Sequence, residues 1–207
     1  MVNGLQGSDR ARELVILALK DDEAYVSCIN DLRLLIESGV GLNIIHELLS
    51  SENKRENTIG ILLLEELPSR VIESNEEYLV KTAKRLSTDQ DPWKRKVFIQ
   101  FSMCLSEIDD NTIFTICAML NDIHLDVRCW AIRFISKLPI AGRDLSRSFL
   151  AEKAAGSADF PYKDRAYRAM KIADLLADGR NTSYIFSNVS CEDSYTVDFF
   201  RWFEKCP

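Results

Sequence analysis

Glycine and proline are scarce in this chain of 207 residues, eight of the first and five of the second, and its apolar runs are short, Ile59 to Leu64 spanning six residues. So little glycine and proline beside 46% apolar and 28% charged residues argues against a disordered chain and for a globular one. A bilayer span needs about 20 consecutive apolar residues, so no run of this length predicts one. Met1 to Arg12 has no apolar run ahead of its first charges and no small-residue cleavage site, which predicts no signal peptide and a cytoplasmic chain. The six cysteines, at 28, 104, 117, 129, 191 and 206, form no Cys-x-x-Cys, and His46 and His124 lie in different segments. The expectation is buried free thiols, no metal site and no cofactor. Nucleophile elbow, phosphate loop and His-Glu-x-x-His helix are all missing, so no catalytic residue is assigned. Gly39-Val40-Gly41 is too small a fragment for a glycine loop and fits a helix C-cap.

What is present is a repeat. A step of 33 residues pairs Arg95 with Arg128, Val97 with Trp130, Ile99 with Ile132, Phe101 with Phe134 and Leu105 with Leu138. A step of 38 pairs Ile59, Ile61, Leu63 and Leu67 with Val97, Ile99, Phe101 and Leu105, and a forward step of 37 or 38 brings in Arg165 to Ala173. Four units follow, with the register of the last open by one residue. A stacked helical repeat presents a long surface, which points to binding before catalysis.

Within each unit the apolar positions recur at helical spacing, as in Val127, Ala131, Phe134, Ile135 and Leu138. The pattern predicts helices near 9–20, 22–38, 42–50, 53–67, 74–87, 92–107, 111–121, 126–138, 144–156 and 161–178. Asp91 before Pro92 reads as an N-cap with proline at the first helical position; Asn53 with Glu56 and Ser74 with Glu77 have capping-box spacing. Ser183 to Val189 carries the one brief strand-like alternation. Cys191 to Pro207 reads as an amphipathic helix with Val197, Phe199, Phe200, Trp202 and Phe203, expected to cap the last repeat or to serve as a partner-binding tail.

Leu120, Asp122, Asp126-Val127-Arg128, Ala131 and Leu138 together resemble a HEAT repeat. The resemblance covers residues 42–178 and implies an all-α, right-handed α-solenoid of antiparallel helix pairs in one domain, 1–207: N-terminal helices over 1–41, repeats over 42–178 and a cap over 179–207. It also implies that Arg95 and Arg128 serve an arginine–aspartate ladder between units. The 33 to 38 residue spacing leaves armadillo-type pairs open. Trp130-Ala131-Ile132-Arg133 with Ser136-Lys137 and Pro139, and Asp91 to Lys96 one unit earlier, are similar to the HEAT-like DNA alkylation-repair glycosylases. That likeness implies duplex DNA against Trp130 and Arg133, and a packing role for Trp93. The catalytic aspartate segment of those enzymes, however, has as its counterpart here only Ser69 to Tyr78, with Glu76 and Glu77 but neither tryptophan nor aspartate.

The residues outside the repeat's structural pattern are Trp130, Arg133 and Lys137, which share one helix face, with Arg168 and Lys171 in the next unit. Tryptophan and arginine are common interface anchors, so these five form the candidate partner-binding site. Residues 1–80 hold 7 basic against 15 acidic side chains and residues 81–180 hold 17 against 13, for a net charge of −6 overall. An acidic partner surface suits the middle ridge and a basic one the N-terminal third. Lys94-Arg95-Lys96 is a basic run beside Asp89 and Asp91, which reads as local charge balance. The function expected is a non-catalytic protein-binding scaffold or inhibitor, an adaptor or antitoxin-like binder; a DNA-repair glycosylase is the alternative.

Overall fold

The computed structural model describes residues 2–156, 160–189 and 194–205, and every regular element among them is helical. None of these helices is long and apolar enough to cross a membrane. The chain divides into two compact units, one running to Arg85 and including Cys104–Ser106, the other holding Leu86–Met103 and the residues from Glu107 onward.

The first unit contains α1 (Val2–Lys20), α2 (Tyr25–Glu37), α3 (Asn43–Ser50), α4 (Lys54–Glu65), α5 (Ser69–Ser74) and α6 (Glu76–Lys84). Ala11, Leu14, Val15 and Ala18 form a buried stripe on α1, where i, i+3, i+4 and i+7 fall on one face. α1 packs on α2 and α3 on α4. Gly60 permits the second approach: a Cβ there would lie 2.9 Å from Leu48 Cβ and 3.1 Å from the Leu49 nitrogen. Gly39, at φ 83°, ends α2 in a Schellman turn, its N–H donating to the Ile36 carbonyl and that of Val40 to Leu35. Ion pairs tie distant parts of the unit together, Arg55 with Asp22 and Arg70 with Glu37, each joining residues 33 apart.

The second unit contains α7 (Pro92–Ser102), α8 (Asp110–Ala118), α9 (Leu125–Lys137), α10 (Ile140–Gly156), α11 (Phe160–Ala177), α12 (Thr182–Asn188) and α13 (Ser194–Lys205). α9 packs against α7 on one side and α11 on the other, while α8 packs against α10. The expected stripe of Val127, Ala131, Phe134, Ile135 and Leu138 is buried, and so are Cys129 and Ile132. α9 is therefore surrounded, and Trp130 and Arg133 remain only partly accessible.

Several local expectations change. Ser183 to Asn188 is helical and Val189 is the extended C-cap: the Asn181 side chain accepts from the Tyr184 N–H at 2.9 Å, and Ile185 and Val189, four residues apart, are buried. Helical i, i+4 burial thus overrides the brief alternation. Ser74 caps nothing, because it ends α5 and its hydroxyl donates to the Arg70 carbonyl at 2.8 Å. Asn53 does cap α4, accepting from the Arg55 N–H at 3.0 Å, but Glu56 is engaged by the Ser51 hydroxyl instead of closing a box. α7 stops at Ser102, which leaves Cys104 exposed in the following loop, whereas Cys28, Cys117 and Cys129 are buried. Cys191 and Cys206 lie outside the described residues.

Candidate functional site

A polar bracket recurs at the same offset in three places. Asn57, Arg95 and Arg128 occupy equivalent positions, and each donates to the carbonyl six residues before it: Asn57 to Ser51 at 2.7 Å, Arg95 to Asp89 at 2.6 Å and Arg128 to Asp122 at 2.8 Å. The two arginines also reach the next carbonyl, Gln90 at 2.9 Å and Ile123 at 3.0 Å. Arg95 further grips the Asp122 carboxylate with two bonds, of 2.6 and 2.8 Å. With side chains 12% and 9% exposed, this pair is shielded from water. Burial pushes the Asp122 carboxyl up, but hydrogen bonds from Arg95 and the His124 N–H and the Arg95 charge outweigh it and hold the group below the usual carboxylate range. Asp89 follows the same logic: burial raises it, and the Asp91 N–H, Lys94 and Arg95 bring it down below its ordinary value. Arg95 and Arg128 are thus structural, fastening each loop to the helix that follows.

Asp91 accepts from the Trp93 N–H at 2.9 Å and sets the start of α7, with proline at its first position. In the basic run, Lys94 pairs with Asp89 at 3.0 Å and Arg95 with Asp122, while Lys96 joins Trp93, His124 and Asp126 around a cleft of about 250 Å³.

Trp130, Arg133 and Lys137 do share a face of α9, and α13 lies against that helix. Trp202 meets Trp130 edge-on at 5.9 Å between ring centres. The Arg133 guanidinium sits 5.2 Å from the Trp130 ring centre and 5.7 Å from that of Phe203. A cation between two aromatic faces gains from both ring quadrupoles. Phe199 packs against Phe203 with the rings tilted and 5.8 Å between centres, and Phe199 and Trp202 are only 2% and 8% exposed. The final helix thus packs against α9 and α12. Lys137 remains exposed.

The other two candidates stand on α11, beside α9. Lys171 donates to the Asn188 carbonyl at 2.6 Å, so its ammonium closes the C-terminal end of α12. Arg168 is half-buried. Phe199, Trp202 and Phe203 complete the cluster and were not among the sequence-derived site residues. Their i, i+3, i+4 spacing is the signal that could have placed them there.

No family model matches the chain, and no curated protein matches it. It is similar to the crystal structure of an engineered protein, with 16% identity over 94% of this chain and 87% of that one and a TM-score of 0.47.

Proposed function

We propose that this chain is a non-catalytic scaffold or inhibitor built of HEAT-like helix pairs stacked as a solenoid, and that it binds a protein partner through the face of α9 bearing Trp130, Arg133 and Lys137. The supporting observation is that this face already receives a helix, α13, through Trp130–Trp202 contact and an Arg133 side chain held between two aromatic rings. Such an aromatic and cationic patch has the composition of interface anchors. The basic excess of residues 81–180 favours a partner whose surface is acidic. Arg168 and Lys171 extend the site along α11.

Affinity capture with the wild-type chain and the Trp130→Ala/Arg133→Ala double variant tests the reading. Loss of the captured partner from a double variant with unchanged circular dichroism supports it. Capture of the same partner at the same strength by both chains refutes it.

A further inference from the structure

α13 shows by example what the α9 face accepts. Its contacts with α9 come from Trp202 and Phe203, and Phe199, at i relative to their i+3 and i+4, packs on Phe203 from the same side of the helix. Trp202 packs on Trp130, and the Phe203 ring lies 5.7 Å from the Arg133 guanidinium. Lys137 lies one turn beyond Arg133 on the same face, is exposed, and pairs with no carboxylate among the described residues. α13 therefore fills the aromatic half of the groove and leaves its cationic half open. A helix of 12 residues has marginal stability on its own, so α13 owes its order to the surfaces of α9 and α12 it packs on, and a helix that also offers Lys137 a carboxylate makes a contact that α13 does not.

We infer that the α9 face is a docking groove for an amphipathic helix with aromatic side chains at i, i+3 and i+4 and a carboxylate within reach of Lys137, and that α13 is an internal surrogate which such a helix displaces. The inference rests on the protein-binding reading above and specifies the partner's chemistry. Occupation by α13 lowers the apparent affinity for any competitor by the fraction of time the groove is closed.

The test uses the full chain and a fluorescent peptide with the sequence Ser194 to Lys205. Its affinity, read by fluorescence anisotropy, is expected to rise at least about tenfold when the chain's own α13 carries Phe199→Ala, Trp202→Ala and Phe203→Ala, and to fall back when Trp130→Ala is added. Replacing the peptide residue nearest Lys137 by glutamate, located by a scan along the peptide, is expected to strengthen binding to Lys137 but not to a Lys137→Ala chain. Equal affinity for the wild-type and triple-variant chains, or indifference to Trp130→Ala, overturns the inference. If the triple variant loses its helical signal, Trp202→Ala alone takes its place, with a gain of about threefold expected and no gain counting against the proposal. Two further results overturn it: duplex DNA that displaces the peptide, and a sedimenting dimer of the wild-type chain that Trp202→Ala dissolves, which would assign the groove to α13 of a second copy. A chain that captures its partner through Trp130 and Arg133 yet shows no peptide gain keeps the binding-face reading and loses this one.

Discussion

Arg95→Met removes the head of the side chain that joins the α7 loop to the next one. Arg95 makes two bonds to the Asp122 carboxylate and two to the carbonyls of Asp89 and Gln90. Methionine retains much of the aliphatic stem, so the loss comes from the polar end. Breaking one partner out of a buried ion pair costs about 3–5 kcal/mol because the other charge is left behind. Asp122 keeps the His124 N–H at 2.8 Å, which puts the expected loss near the lower end of that range, about 3 kcal/mol. With a urea slope of about 2 kcal/mol per molar, the midpoint should fall by about 1.5 M. Trp93, Trp130 and Trp202 are the chain's three tryptophans and all lie in the second unit, so their fluorescence follows that unit's unfolding. Arg147→Ala is the control: Arg147 bonds to Asp174 at 2.6 Å, but the two side chains are 44% and 33% exposed. Water weakens such a pair to less than about 1 kcal/mol. Adding Asp122→Leu to Arg95→Met should recover part of the loss, because no unpaired carboxylate then remains. An Arg95→Met midpoint no lower than that of Arg147→Ala would refute the claim that the bracket holds this unit together.

Asp122 is held below its ordinary value when folded, so the stability it contributes is complete above the unfolded carboxylate value of about 3.9 and is lost as pH falls through the folded one. The difference in melting temperature between wild type and Asp122→Asn should be constant from pH 7 to about 5 and shrink below about 4; a difference that persists undiminished at pH 3 would contradict this. Burial, opposed by a hydrogen bond with Ser146, pushes the Cys117 thiol up to about 11. At pH 8 a thiol reagent should label exposed Cys104 and leave Cys117 unmodified until the chain unfolds, as peptide mapping by mass spectrometry would show. Gly60→Ala should destabilise the chain by about 1–3 kcal/mol despite alanine's better helix propensity, since its Cβ would press on Leu48 and the Leu49 backbone. A thermal melt at or above the wild-type temperature would show that α3 and α4 can separate freely.

The parts of the fold that sequence conveys are those written in local chemistry and in a fixed interval. The 33-residue step that pairs Arg95 with Arg128 also pairs Asp89 with Asp122, and both arginines donate six residues back. Asp91-Pro92 and Gly39 mark helix ends because their side chain or backbone freedom acts within a few residues. Tertiary choices were less legible. Ser74 had a second acceptor in its own helix, and Ser183 to Asn188 became helical because the burial of Ile185 and Val189 decided between two periods. The sequence marks α13 as amphipathic, yet an apolar stripe does not say which surface it will cover. Pairing Trp202 with Trp130 joins residues 72 positions apart, and no local rule specifies that contact.

Partner binding through α9 is tested most directly by the affinity of the captured partner for three chains: wild type, Trp130→Ala/Arg133→Ala, and Arg10→Ala, which alters an exposed ion pair in the first unit. A loss of at least about a hundredfold is expected for the double variant, the scale of two interface anchors, and wild-type affinity for Arg10→Ala. Equal affinity for wild type and the double variant, with both folded, would contradict it.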